Sequence, residues 1–261
     1  MTQTDTASSI RLSIVVPVKN EAGNVESLVT EIERACSSLD PFEVIYVDDG
    51  STDATGAILA DLRRSRPWLR VVRHARSSGQ SAAIRSGVAV ARGALVATLD
   101  GDGQNDPAFI PALVAALEEG GRSTGLAQGQ RVGRKDGRLK TLQSRIANGV
   151  RGRILKDSTR DTGCGMKVFR RDVYRALPYF DALHRFMPAL VAREGYRVVH
   201  ADVVDRPRFT GRSNYGLFDR LWVGLLDLAG VWWLIRRKRP SPEAVEVAPE
   251  LRPTTLGREQ L

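Results

Sequence analysis

Asp100-Gly101-Asp102-Gly103-Gln104 directly follows the apolar run Ala94 to Leu99. Two carboxylates two residues apart, in a turn that glycine permits, can share one hard cation, and Gln104 offers a further oxygen. Mg²⁺ or Mn²⁺ suits such a donor set and keeps positions open for substrate phosphates. An ion held there would neutralise a departing diphosphate. The same residues also make an ordinary solvated turn, since Asp and Gly are turn formers. A second acidic pair, Asp48-Asp49, ends the apolar run Phe42 to Val47. Neighbouring carboxylates point different ways, so one can accept from a ribose hydroxyl or base N–H while the other caps a turn. A plain strand–turn–helix cap competes with that reading.

The elements that position these residues follow from pattern. Leu12 to Val16, Phe42 to Val47, Leu69 to Arg73 and Ala94 to Leu99 read as short buried strands. Helical spacing lies between them, over Asn24 to Cys36, from a cap at Thr52 or Asp53 to about Arg64, and over Gly79 to Arg92. Pro107 opens a further helix, where its missing N–H costs nothing. This βαβαβαβ order predicts a parallel sheet, and ligands of such sheets bind outside the carboxyl ends of the strands. Lys19-Asn20-Glu21, Asp48-Asp49 and Asp100 to Gln104 are therefore expected to converge on one site.

Beyond Gly129 the rhythm changes. A basic helical stretch, Gly137 to Leu155, precedes Asp161-Thr162-Gly163-Cys164-Gly165, with a strand-like segment Thr124 to Gln128 upstream and Met166 to Phe169 downstream. A helix over His184 to Glu194, a strand over Val198 to Val204 and an amphipathic helix over Tyr215 to Arg237 come next, ahead of a disordered tail from Pro240.

The 261 residues, 42% hydrophobic, suffice for one large domain with a core. Cys36 and Cys164 are expected to be free thiols. Met1 to Ser9 lacks the apolar run of a signal peptide, which predicts a cytosolic chain. The net charge is +9, and between Arg122 and Lys156 the bases are opposed by Asp136 alone. Such a one-signed segment predicts a phosphate, a polyanion or an anionic membrane as partner. There is no Gly-x-Gly-x-x-Gly after the first strand and no Gly-Lys-Ser/Thr phosphate loop. His74, His184 and His200 lack metal-ligand spacing and read as structural.

Five segments, VVPVKNEAGNV from Val15, VDDGSTD from Val47, LDGDGQNDP from Leu99, DTGCGMKVFRR from Asp161 and RPRFTGRSNYG from Arg206, occur in an order that resembles the family 2 glycosyltransferases. More narrowly, the chain is similar to the polyprenol-phosphate sugar synthases over about residues 11 to 237. The resemblance implies a GT-A fold: an α/β, Rossmann-like, mostly parallel sheet flanked by helices, with C-terminal amphipathic membrane-associated helices. It divides the chain into a disordered start (1–10), a glycosyltransferase domain (11–210), a membrane-associated segment (211–239) and a disordered tail (240–261). The domain splits into a nucleotide-binding half (11–120) and an acceptor half (121–210).

By the same resemblance, Pro17, Lys19, Glu21, Val47 and Asp49 line the nucleoside pocket, and Gly101 lies near the donor. Asp100, Asp102 and Gln104 bind Mg²⁺ or Mn²⁺. Arg131 and Arg208 close on the donor phosphates, which with Asp102 makes the catalytic set. Lys19 stands where many members carry tyrosine. Asn214, a donor-side position, replaces the usual lysine and leaves Arg208, Arg212 and the metal to supply charge. The implied reaction is inverting transfer of one sugar from a UDP- or GDP-linked donor to a polyprenyl phosphate, for cell-envelope glycan or lipid modification.

A phosphate acceptor is already anionic at pH 7, so it needs positioning and charge compensation rather than a strong base. Two alternatives are a soluble glycosyltransferase acting on a protein or glycan, and a nucleic-acid-binding protein. The basic run lacks the interleaved aromatics of a base-stacking surface, so no nucleic-acid partner is expected. Leu221 to Ile235 is strongly apolar, carries Trp222, Trp232 and Trp233, and is followed by Arg236, Arg237, Lys238 and Arg239. At fifteen residues it is short of the roughly 20 that span a bilayer. A buried core helix or dimer interface is the competing reading; the tryptophans and the basic flank, with Asp227 inside the run, predict a peripheral or monotopic enzyme on an anionic surface, the cytoplasmic face of the inner membrane.

Overall fold

A computed structural model describes residues 10–132, 149, 151–157, 159–206 and 217–238. Seven strands form one sheet: β1 (Leu12–Val18), β2 (Phe42–Asp48), β3 (Leu69–Arg73), β4 (Leu95–Thr98), β5 (Thr124–Arg131), β6 (Lys167–Arg170) and β7 (Arg197–Val203). Their spatial order is β3-β2-β1-β4-β6-β5-β7. The described helices include α1 (Val25–Cys36), α2 (Thr55–Leu62), α3 (Gln80–Val90), α4 (Ile110–Glu119), α5 (Arg171–Ala176), α6 (Leu183–Arg193) and α7 (Leu217–Arg237).

β1, β2 and β4 are short, largely apolar runs because both faces of the sheet are covered there. Ile14, Val16 and Tyr46 join a core on one face, with Val25, Leu28, Val29 and Ile32 of α1 and Leu113 and Leu117 of α4. Val15, Ile45 and Val47 point the other way, into a core with Ala83, Ile84 and Val88 of α3 and Met187, Leu190 and Val191 of α6. The period of two along a strand makes this division. Val231 of α7 is buried in the second core, with Leu228 and Ile235 packed against it.

Several boundaries differ from the expectations of spacing. The sheet is mostly parallel, as the resemblance implied, but β6 is antiparallel to both of its neighbours, β4 and β5. β5 runs on to Arg131 rather than stopping at Gln128, because β7 pairs with it through Arg131 and Val203. Pro107 opens a 3-10 turn, and α4 begins only at Ile110. The residue before α2 is Ala54, which makes no side-chain cap; Asp53 Oδ1 instead accepts from the Thr55 amide at 3.0 Å. Strands from residues 11–120 and from residues 121–210 share this one sheet. Among the described residues, no helix is long and apolar enough to cross a membrane.

Candidate active site

Chain order places β2 and β3 on one side of β1 and β4 on the other, so the direction of winding reverses beside β1. Crevices at such a reversal, at the carboxyl ends of the strands, are where α/β sheets bind ligands. β2, β1 and β4 are adjacent and parallel, which brings the three polar clusters to one edge as spacing predicted. Val18 C=O accepts from the Asp49 amide at 2.8 Å, tying the first two ends together. Asn20 and Glu21 complete the tie: the Asn20 amide donates to Ser51 Oγ at 3.0 Å and the Glu21 amide to Thr55 Oγ1 at 2.9 Å. Glu21 Oε2 accepts from Asn24 Nδ2 at 2.6 Å. Lys19 is exposed and Pro17 half-buried at the same edge. Val47 is fully buried, its side chain in the core.

Asp48 and Asp49 divide their work. Asp48 Oδ1 caps the turn by accepting from the Ser51 amide at 2.8 Å. Asp49 accepts from His74 Nδ1 at 2.7 Å, Ser77 Oγ at 2.8 Å, and the amides of Ser78 and Gly79 at 2.8 and 2.9 Å. Burial alone would raise its pKa, but these donors outweigh burial and hold the carboxyl below its ordinary value. His74, which spacing left as a structural residue, is thus a direct partner of a donor-side candidate, and its Nε2 meets Ser86 Oγ at 2.9 Å.

The loop after β4 is held on every side. A Cβ on Gly101 would fall 2.4 Å from Val18 Cγ1 and 2.8 Å from the Pro17 oxygen, so only glycine lets this loop lie against the end of β1. Asp100 donates its amide to Asn105 Oδ1 at 2.9 Å, and Asp102 Oδ1 accepts the Gln104 amide at 3.1 Å. The Asp100 carboxyl accepts from Gln80 Nε2 at 2.7 Å. Burial first, and then the charge of Asp102, push it up to about 6, while Lys167 and Arg131 pull the other way. Gly165 leaves it room, since a Cβ there would lie 2.4 Å from the carboxyl carbon. A buried carboxyl that Asp102 pushes up is one a hard cation relieves, and Mg²⁺ or Mn²⁺ needs only one or two carboxylates beside water and phosphate. The residues therefore fit such an ion, although no group of three acidic, His or Cys ligands occurs among the described residues.

Arg131, at the end of β5, reaches the same edge. Its Nε and NH2 meet Asp161 Oδ2 and Oδ1 at 2.6 and 2.8 Å, and NH1 meets Asp205 Oδ2 at 3.3 Å. Asp205 also accepts from Asn105 Nδ2 at 3.1 Å, so the acidic loop and Arg131 share a partner. Next to it, Arg206 binds Glu31 at 2.6 Å and Asp106 at 2.7 Å, and its amide donates to the Gln104 carbonyl at 2.8 Å. Lys167 is buried behind Asp100 and donates to the Cys164 carbonyl. Spacing missed Gln80, Asn105, Lys167 and Asp205 as site residues; the Asn105 in GDGQND was the one available signal, as a turn residue beside the acidic pair. Arg208, Arg212 and Asn214 lie outside the described residues.

Comparison with known proteins shows the family. The model for "Glycosyl transferase family 2" matches residues 13–177. A dodecaprenyl-phosphate galacturonate synthase of Rhizobium johnstonii is 40% identical over 91% of this chain and 71% of its own length. An undecaprenyl-phosphate 4-deoxy-4-formamido-L-arabinose transferase of Edwardsiella ictaluri is 35% identical over 79% of this chain, which spans 63% of that relative. Among solved structures, a mannosyltransferase from Pyrobaculum calidifontis in complex with GDP-Man and Mn²⁺ superposes with a TM-score of 0.65 at 20% identity, covering 90% of this chain and 67% of that one. Glucosyl-3-phosphoglycerate synthase from Mycobacterium tuberculosis, in complex with Mg²⁺ and UDP, gives 0.61 at 20% identity, covering 87% and 79%. These two show a shared GT-A-like fold. With the family model matched over most of its sheet and the acidic loop at the reversal beside β1, this chain belongs to glycosyl transferase family 2 and is a glycosyltransferase.

Proposed function

We propose that this glycosyltransferase moves one sugar from a nucleotide sugar to a polyprenyl phosphate, with inversion at the anomeric carbon. The observation that carries the reading is the convergence of Asp100 and Asp102 with the ends of β1 and β2, in a chain whose relatives are polyprenyl-phosphate sugar enzymes. Asp100, Asp102 and Gln104 hold Mg²⁺ or Mn²⁺, which when bound supplies positive charge to the diphosphate leaving group. Pro17, Lys19, Glu21, Val47, Asp49 and Gly101 shape the nucleoside side, Val47 and Asp49 by fixing the end of β2. Arg131, with Arg208 and Asn214, serves the phosphates. An acceptor phosphate oxygen forms the new bond to the anomeric carbon as its bond to the nucleoside diphosphate breaks. No proton has to be removed from the nucleophile, so the chain's task is alignment and charge.

The enzyme works on a membrane surface, at the cytoplasmic face. Support comes from α7, where Leu225, Leu226, Trp232 and Trp233 are exposed while Leu228, Val231 and Ile235 face the core. Arg236 stacks over Trp232 at 4.5 Å, a pairing suited to the headgroup region. Asp227 is half-buried and senses Asp181 and Arg185, so it belongs to the protein side of the helix. Lys238 binds Glu194 at 2.9 Å, which leaves Arg236 and Arg237 as the described basic residues available to lipid.

The test is a panel of UDP- and GDP-sugars offered with undecaprenyl phosphate and a divalent ion, read by mass spectrometry of the lipid fraction. One lipid-linked sugar phosphate is the expected product. Transfer to a soluble protein or glycan, with none to lipid, would replace this reading by the soluble-acceptor one.

A further inference from the structure

Gln80 is exposed at the first position of α3, yet its side chain is committed: Nε2 donates to Asp100 Oδ1 at 2.7 Å. The residues before it are tightly held. An ionised carboxylate has roughly four acceptor positions. Asp49 fills them with His74, Ser77 and the amides of Ser78 and Gly79, so the segment entering α3 is fastened to the end of β2. His74 is fixed in turn by Ser86 on α3 itself, at 2.9 Å. A chain of hydrogen bonds therefore runs from the end of β2, through the start of α3, to the carboxylate at the end of β4. On its other side Asp100 is bounded by Gly165.

We propose that Gln80 is a positioning residue for the divalent ion, orienting the Asp100 carboxylate without itself binding the donor. This rests on the reading of Asp100 as a metal ligand. A carboxamide suits the role: it supplies a donor to one carboxylate oxygen and brings no charge to compete with a cation. Groups that orient metal ligands in this way are worth about 10- to 100-fold in metal affinity or activity. The exposure of Gln80 separates this role from a structural one, because the side chain fills no core.

The experiment compares the full chain with Gln80→Leu, which removes the donor at similar size. Mn²⁺ is titrated in the presence of UDP and, separately, GDP, and binding is read as loss of the free-ion electron paramagnetic resonance signal. The expected result is a Kd for Mn²⁺ raised about tenfold or more in Gln80→Leu. Melting temperature and the KM for nucleotide sugar at saturating Mn²⁺ stay as in the parent, and excess Mn²⁺ restores kcat. An unchanged Mn²⁺ Kd overturns the proposal, and with a raised KM it assigns Gln80 to the donor instead. If the parent chain binds no Mn²⁺ with either nucleotide, the metal reading of Asp100 fails, and the role of Gln80 falls with it.

Discussion

Arg131 and Asp161 meet fork to fork, with Nε 2.6 Å from Oδ2 and NH2 2.8 Å from Oδ1, across 30 residues of sequence. Both side chains are largely enclosed, 17% and 15% exposed. Burial works against the charge on Arg131, but the bond to Asp161 and the charges of Asp161 and Asp205 outweigh it and keep the guanidinium protonated. Removing Asp161 takes away both fork contacts and leaves the largely enclosed guanidinium with Asp205, at 3.3 Å, as its counter-charge. Asp161→Ala is therefore expected to cost about 3 kcal/mol in urea unfolding. Arg131→Lys keeps the charge and loses the planar fork, so kcat/KM is expected to fall at least about tenfold, near 1.4 kcal/mol. A wild-type rate for Arg131→Lys would make Arg131 a purely structural residue.

Metal dependence follows from the acidic loop. Chelation by EDTA is expected to abolish transfer, and Mg²⁺ or Mn²⁺ to restore it. Asp102→Asn should lose about 100-fold in kcat, the scale of one preorganised electrostatic contact. Full activity in EDTA would remove the metal from the site.

Gly165→Ala tests the room left for Asp100. The added Cβ would fall 2.4 Å from the carboxyl carbon, so the carboxylate must move. Activity should fall by about the same 100-fold as for Asp102→Asn, with Mn²⁺ binding weakened in parallel. Unaltered Mn²⁺ binding would show that Asp100 does not need this orientation.

Acid stability reports on His184, whose Nδ1 meets Ser81 Oγ at 2.7 Å. Burial, reinforced by Lys167 and Arg185, pushes its pKa down to about 3. The unfolded chain takes up a proton near pH 6.5, and the folded chain does not until about pH 3. The stability His184 preserves is thus whole above pH 6.5 and is lost as pH falls toward 3, by up to about 1.4 kcal/mol per pH unit. In His184→Gln, the drop in melting temperature between about pH 7 and pH 4.5 should be smaller than in the parent. An equal drop would place the acid sensitivity elsewhere.

Membrane attachment is testable on the outer face of α7. Leu226 and Trp233 are 72% and 55% exposed, so Leu226→Asp with Trp233→Asp should leave the fold intact. Binding to vesicles of anionic phospholipid, measured by co-sedimentation, should weaken tenfold or more, about 1.4 kcal/mol. Transfer to long-chain acceptors should fall with it. Unchanged sedimentation would move the contact off this helix.

Sequence alone determined the features that depend on near neighbours. Four apolar runs became β1 to β4, helical spacing at Val25, Leu28, Val29 and Ile32 became the buried face of α1, and the parallel order placed Asp49 and Asp100 at one edge. Strand period, helix period and turn chemistry act over a few residues, so they are readable from spacing. The tertiary structure decided which groups those ends meet. That β6 enters antiparallel between β4 and β5 is a choice of strand order, and it brings Gly165 and Lys167 beside Asp100. Asp205 lies 74 residues from Arg131 and 100 from Asn105, and Gln80 lies 20 from Asp100. No period links such pairs. Each forms because strand pairing over the whole sheet carries distant segments to one edge, where buried polar groups must find partners.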